Sequence, residues 1–145
     1  IAGEGPYEKD LKDYARELRV FENIIFLGWI TEPEKSVLLD ISDVFAMTPI
    51  EVGESVEGFG MVYIDAAFHG LPCLGSNSGG ISDAILNEKA GLICDSGNQS
   101  EITKKLERLL IDKELCLKLG RKGKELANAK HGWKSKIGEY LDLTK

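Results

Sequence analysis

Short apolar runs bounded by glycine or proline alternate along this chain with stretches whose apolar residues recur at helical spacing, and this alternation restricts the fold more than any other feature. Residues 22–29 (ENIIFLGW), 43–49 (DVFAMTP), 71–77 (LPCLGSN) and 90–95 (AGLICD) read as strands. Between them, residues 7–19 carry Tyr7, Leu11, Tyr14, Ala15 and Leu18 at helical spacing, and residues 33–41 carry Val37, Leu38 and Ile41. Strands that are apolar nearly throughout need cover on both faces, so the order strand, helix, strand, helix implies the α/β class with a doubly wound parallel sheet. After residue 97 the strand pattern stops. Asn98 or Ser100 can cap a helix over SEITKKLERLLID, and helical pattern continues through KELCLKLGRKGKELANA and WKSKIGEYLDL, so residues 98–145 read as a C-terminal helical cover of the same domain. Trp29 and Trp133 read as packing residues.

Composition narrows the function. A chain of 145 residues with 43% hydrophobic content is about one domain with one core. Its net charge of −6 argues against nucleic acid, which is held by clustered Lys and Arg. Cys73, Cys94 and Cys116 are odd in number and lack any CxxC or His-bearing spacing, so they read as reduced, mostly buried thiols of a cytoplasmic protein. No apolar run approaches the roughly 20 residues of a membrane span, and IAGEGP lacks the basic and hydrophobic regions of a signal peptide. The chain opens without Met on what reads as the end of a strand, as expected of a fragment of a longer protein.

One stretch is richer in chemistry than core packing requires. In EGFGMVYIDAAFHG, residues 57–70, a loop with Gly58 and Gly60 leads from the second strand into a helix that Gly70 and Pro72 stop. Ligands of doubly wound sheets sit at the carboxyl ends of strands, beside helix N-termini. Glycines there let main-chain N–H groups approach an anion, and the helix start adds about half a positive charge. Local amides can thus seat a phosphate in an acidic protein. With the helix beginning near Gly60, Asp65 lies about 7 Å along the axis at about 1.5 Å per residue. Its carboxylate leans back toward the N-terminus, where vicinal ribose hydroxyls would suit it. Glu57 would lie on the other side of a diphosphate.

These residues resemble the E-x7-E motif of retaining GT-B glycosyltransferases, particularly the family 4 type. Glu57, Gly58, Phe59, Gly60, Asp65, Ala66, Ala67, Gly70, Leu71 and Pro72 follow its usual form, EGFGxxxxEAxAxGxPV. GEGP (3–6), IIFLGWI (24–30), SNSGGISD (76–83), AGLICD (90–95) and Trp133 come in the family's order. The resemblance covers nearly the whole chain and implies the Rossmann-like C-terminal half of a two-domain enzyme that moves a sugar from a nucleotide-diphosphate sugar to an acceptor hydroxyl. It implies that Glu57 is the catalytic residue touching the transferred sugar, and that Phe59, Gly60, Met61 and Val62 offer main-chain groups to the diphosphate, together with Gly58. Asp65 would hold the ribose. Gly28, Trp29 and Ile30 would line the base, and Gly3 and Gly5 of GEGP belong to the same donor set. The family retains anomeric configuration, needs neither cofactor nor metal, and makes polysaccharides or glycolipids in the cytoplasm. The acceptor, a sugar, lipid or polysaccharide, would bind an N-terminal domain that this chain lacks, as it lacks the first strand and the basic pair for the diphosphate. Alone, the chain is expected to be inactive.

Departures and rival readings remain. Asp65 stands where the family has Glu, which shortens its reach by more than about 1 Å. Asp83 replaces a common Glu, and Cys73 a common Val. Glu57 and Asp65 also read as solvated surface acids, Gly79 and Gly80 as a helix entry capped by Ser78, and His69 as a satisfied histidine. Glu51, Glu54 and Glu57 lack the partners of a metal site. The basic run KLGRKGKELANAK reads as a solvated face or as a peripheral contact with the inner face of the membrane. A nucleotide-sugar epimerase of the same architecture, or a silent partner subunit, would share the phosphate seat.

Overall fold

In the computed structural model, the structure describes residues 1–51, 53, 58–85, 89–132 and 137. Glu54 and Glu57 lie outside the described residues, as do Trp133 and all but Ile137 of the final helical stretch. The chain divides into two compact units, Ile1–Leu38 and Leu39–Lys145.

In the first unit, helix α1 (Glu8–Glu17) follows GEGP with Glu8 and Asp10 in its first turn and Arg16 in its last, signs that match the helix dipole. Lys9 pairs with Asp13 at 2.7 Å and Arg16 with the same carboxylate at 2.6 Å. Arg19, at φ +58°, reverses the chain, with the Val20 amide donating to the Ala15 carbonyl at 3.0 Å. The run expected as a strand over 22–29 begins instead as a 3-10 turn, Phe21–Asn23. It is extended after that, and its ladder is one parallel bridge, Ala2 to Gly28, with the Leu27 amide donating to Ile1 O at 2.9 Å and the Gly3 amide to Gly28 O at 2.8 Å. Its partner is residues 1–3. The apolar stripe of α1 is also not core: Tyr7, Leu11, Tyr14 and Leu18 are exposed and Ala15 is buried. A unit this short has too little apolar mass to cover that face. Helix α2 (Glu32–Ile41) closes the unit and runs into the next.

The second unit holds a parallel sheet in the order β1 (Phe45–Ala46), β2 (Cys73–Ser76), β3 (Gly91–Cys94), with Phe45 opposite Cys73 and Leu74 opposite Leu92. The crossovers are helices α3 (Met61–Phe68) and α4 (Ile81–Ile85). Every residue of β2 is buried, and successive side chains point to opposite faces. Cys73 joins a core of Tyr63, Ile64, Leu71, Ile81 and Ile85 from the α3 and α4 side. Leu74 joins Leu92, Cys94, Leu109 and Leu119 on the other, under α5 (Gln99–Ile111) and α6 (Lys113–His131). Helices therefore cover both faces, as the continuous apolar strands require. Gly75 is the close approach: a Cβ there would stand 2.4 Å from Ile85 Cδ1. Asn98 caps α5 by accepting from the Glu101 amide at 3.1 Å, and Asp112 caps α6 the same way from Leu115 at 2.9 Å. The three thiols are free, with Cys73 and Cys94 buried and Cys116 partly so. Among the described residues, no helix is long and apolar enough to cross a membrane.

Candidate functional site

The carboxyl edge of the sheet is assembled by hydrogen bonds from β2 to the loop that leaves β1. The Ser76 hydroxyl, fully buried, donates to Pro49 O at 2.7 Å. Ser78 donates to Glu51 Oε1 at 3.3 Å. Its hydroxyl is thus engaged with the β1 loop. The Asn77 amide donates to Cys94 O at 2.9 Å, which ties the same turn to β3.

Two glycine turns then meet. The Gly80 amide donates to Gly58 O at 2.9 Å, and a Cβ on Gly80 would lie 2.5 Å from that oxygen and 3.3 Å from Phe59 Cα. Gly60 caps α3 in the left-handed region, φ +75°, where an added Cβ would meet the Tyr63 ring at 2.5 Å. Tyr63 holds this end down: it is fully buried, its hydroxyl donates to Met47 O at 2.5 Å, and its ring meets Phe45 edge-on at 5.4 Å between centroids. The helix start is therefore fixed to the end of β1 by a buried aromatic.

The first amides of α3 are the chemistry. A helix leaves its first N–H groups without intrahelical acceptors, and among the described residues no hydrogen bond is found from the amides of Gly60, Met61 or Val62. Met61 is 64% exposed, so the opening is not roofed by its own helix. Asp65 is partly buried one turn farther on. The structure thus brings Gly58, Phe59, Gly60, Met61, Val62 and Asp65 together around one helix start. Such an arrangement can seat an anion on oriented dipoles and place a carboxylate acceptor beside it.

The helix ends as expected, with Gly70 at φ +76° and the Leu71 amide returning to Ala66 O at 3.0 Å. His69 is engaged, its Nδ1 lying 2.6 Å from Asp40 Oδ1. Among the described residues no three His, Cys, Asp or Glu side chains gather as a metal site.

The other residues expected to serve the donor, Gly3, Gly5, Gly28, Trp29 and Ile30, lie in the first unit. Gly3 (φ +113°) and Gly28 (φ +62°) are joined by the hydrogen bond already given, and nothing lies within contact of a Cβ on Gly5. The Trp29 amide donates to Glu4 Oε1 at 3.3 Å. Trp29 is 77% exposed, so its reading as a packing residue is corrected: it borders an open cleft. That cleft, about 410 Å³, is also lined by Leu27, Ile30, Pro33, Val37 and Leu38. Glu34 at its edge accepts from the Thr31 amide and hydroxyl, both at 2.7 Å, which holds its carboxyl below the usual range.

Sequence reasoning missed Tyr63, Ser76 and His131. Tyr63 sits inside an apolar helical run, where nothing marks its hydroxyl as an anchor. Ser76 lies in the quoted SNSGG stretch, a local signal that could have pointed to it. His131, the last residue of α6, meets the Phe59 ring at 5.9 Å between centroids, a contact no local pattern announces.

Comparison with known proteins adds to this geometry. The family profile described as glycosyl transferases group 1 matches residues 1–126. A GDP-mannose-dependent alpha-(1-6)-phosphatidylinositol monomannoside mannosyltransferase of Mycobacterium tuberculosis is 30% identical over 146 aligned residues, which cover 99% of this chain and 38% of that protein. Among solved structures, Anabaena HepE in complex with UDP-glucose superposes with a TM-score of 0.80 at 20% identity, covering 97% of this chain and 39% of that one. Sucrose-phosphate synthase from Thermosynechococcus elongatus gives 0.79 at 22%, covering 98% and 37%. The chain thus spans under two-fifths of the length of these proteins.

Proposed function

The chain belongs to the glycosyl transferases group 1 family, and from that premise we propose that it is the donor-binding domain of a retaining, family 4 type hexosyltransferase that moves a sugar from a nucleotide-diphosphate sugar to an acceptor hydroxyl. The observation that carries this reading is the α3 start, where left-handed Gly60 opens the helix after β1 and, among the described residues, no hydrogen bond is found from the amides of Met61 and Val62. Negative charge grows on the diphosphate as the glycosidic bond breaks. Donors fixed in advance around that position stabilise the transition state without reorganising.

In this reading the diphosphate sits on the Gly58–Val62 amides, Asp65 accepts from the ribose hydroxyls, and Glu57 touches the transferred sugar. The departing phosphate assists the acceptor hydroxyl on the same face, so configuration is retained. No metal is needed, because main-chain dipoles supply the neutralisation. Trp29, Ile30 and Gly28 line the base. The acceptor is a sugar, lipid or polysaccharide held by the rest of the full-length protein, which works in the cytoplasm and touches the membrane peripherally where the acceptor is a lipid. The similar mycobacterial protein is named for GDP-mannose and the HepE crystals contain UDP-glucose, so the base is left to experiment.

Calorimetric titration of the full-length protein with UDP-, GDP- and ADP-sugars tests the reading, followed by transfer assays with chelator present. Saturable binding of one nucleotide class and metal-independent transfer is the expected result. Donor turnover without any acceptor would mean an epimerase, and donor binding without turnover a silent partner subunit.

A further inference from the structure

A second cleft lies at the opposite end of the sheet, beside the amino end of β3. Helix α6 is drawn against two chain reversals through glycines: a Cβ on Gly120 would stand 2.1 Å from Gly70 O, and one on Gly123 would be 3.4 Å from Ala90 Cβ. This close approach sets Lys89 beside the α6 face that carries Lys118, Arg121, Lys122 and Glu125, which are spaced at i, i+3, i+4 and i+7. With buried Leu119 as floor, these residues line an open cleft of about 540 Å³. That lies within the range of about 300–1,000 Å³ usual for small-molecule sites.

The charge pattern is what calls for a ligand. Glu125 Oε1 takes Lys122 Nζ at 2.9 Å. Among the described residues no ion pair is found for Lys89, Lys118 or Arg121. The chain holds 24 acids against 18 Lys and Arg, so a concavity lined by four cations and one acid, Glu125, runs against its composition. Like charges three and four residues apart on a helix repel one another and destabilise it. An anion in the cleft would remove that repulsion. The planar guanidinium of Arg121 can bind two oxygens of one phosphate, while the ammonium groups of Lys89 and Lys118 act as point charges around it.

We propose that this cleft binds a phosphate-bearing ligand at a site separate from the α3 start. The phosphate is carried either by a free polyphosphate compound or by an anionic phospholipid headgroup, and the two sources differ only in what is attached to the shared group. The donor reading is not required, since the two ends of the sheet share no residue.

The test uses the full-length protein and two probes: inorganic tripolyphosphate followed by calorimetry, and co-sedimentation with phosphatidylcholine vesicles with and without phosphatidylglycerol. At least one probe should bind, more weakly as salt rises. The double variant Lys118→Glu/Arg121→Glu should weaken that binding at least about tenfold, with nucleotide-sugar affinity unchanged. Both side chains are exposed, and Lys118→Gln/Arg121→Gln, a milder change, should give an intermediate loss. Binding of tripolyphosphate assigns the cleft to a free ligand, and binding of the anionic vesicles alone assigns it to a headgroup. Binding of neither probe, or binding that survives the charge reversal and so belongs elsewhere, would overturn the proposal. Loss of nucleotide-sugar binding in the parent protein would count against the donor reading alone.

Discussion

Gly80 donates its amide hydrogen to the carbonyl oxygen of Gly58 across 2.9 Å, and no side chain fits between them, since a Cβ on Gly80 would come within 2.5 Å of that oxygen. The turn after β2 therefore sets the position of Gly58, and with it the helix start that faces the diphosphate in the proposed complex. Gly80→Ala must displace main chain, because both nearest atoms belong to the backbone. It is expected to lower stability by about 1–3 kcal/mol and to weaken nucleotide-sugar binding by about tenfold or more. Thermal melts and calorimetry of the full-length variant check both. Unchanged donor affinity would mean that the two turns are not coupled.

Tyr63→Phe removes one atom from the other support of that helix start. The Met47 carbonyl would lose its donor inside the core, which costs about 1–3 kcal/mol for an acceptor left unsatisfied. At about 2–4 °C per kcal/mol for a chain of this size, the midpoint should fall by several degrees. The ring and its edge contact with Phe45 remain, so the fold should be kept.

Asp65 is assigned to ribose, and the assignment makes a paired prediction. In the parent protein, a nucleotide diphosphate with 2′-deoxyribose should bind about tenfold more weakly than its ribose counterpart, a difference of about 1.4 kcal/mol. In Asp65→Ala the two should bind alike. Equal binding in both proteins would remove the ribose role, and Asp65→Glu with no gain in affinity would show that the shorter acid already reaches.

Burial pushes the Cys73 thiol up to about 12 from an ordinary value near 9. Between these values the unfolded chain releases the proton while the native state keeps it, so stability is lost as pH rises from about 9 to about 12, at no more than about 1.4 kcal/mol per pH unit. Cys73→Val should flatten this alkaline limb in denaturant melts. The same burial predicts that a thiol reagent at neutral pH modifies partly exposed Cys116 well before Cys73.

How much of this was legible beforehand follows from the range of each interaction. The runs at 43–49, 71–77 and 90–95 became β1 to β3, and Asn98 became a cap, because side-chain period and capping are local. The run at 22–29 did not become a full strand, since its ladder depends on residues 1–3 far away in the chain. The stripe Tyr7, Leu11, Tyr14, Leu18 has the spacing of a buried face yet is exposed: periodicity states that a face is apolar and not what covers it. At the site, the glycine turn and the helix start at Gly60 could be read from composition and spacing. The anchors could not, because Ser76 reaches Pro49 and Tyr63 reaches Met47 only after the sheet has formed. Glu57, the expected catalytic acid, lies outside the described residues.

The central claim is that main-chain amides at the α3 start hold a diphosphate. The most direct measurement is an amide-resolved NMR titration of the full-length protein with UDP and GDP. If the claim holds, the amides of Gly60, Met61 and Val62 shift most, saturate with the binding isotherm, and gain protection from solvent exchange. Saturable nucleotide binding that leaves those three amides unmoved would contradict it.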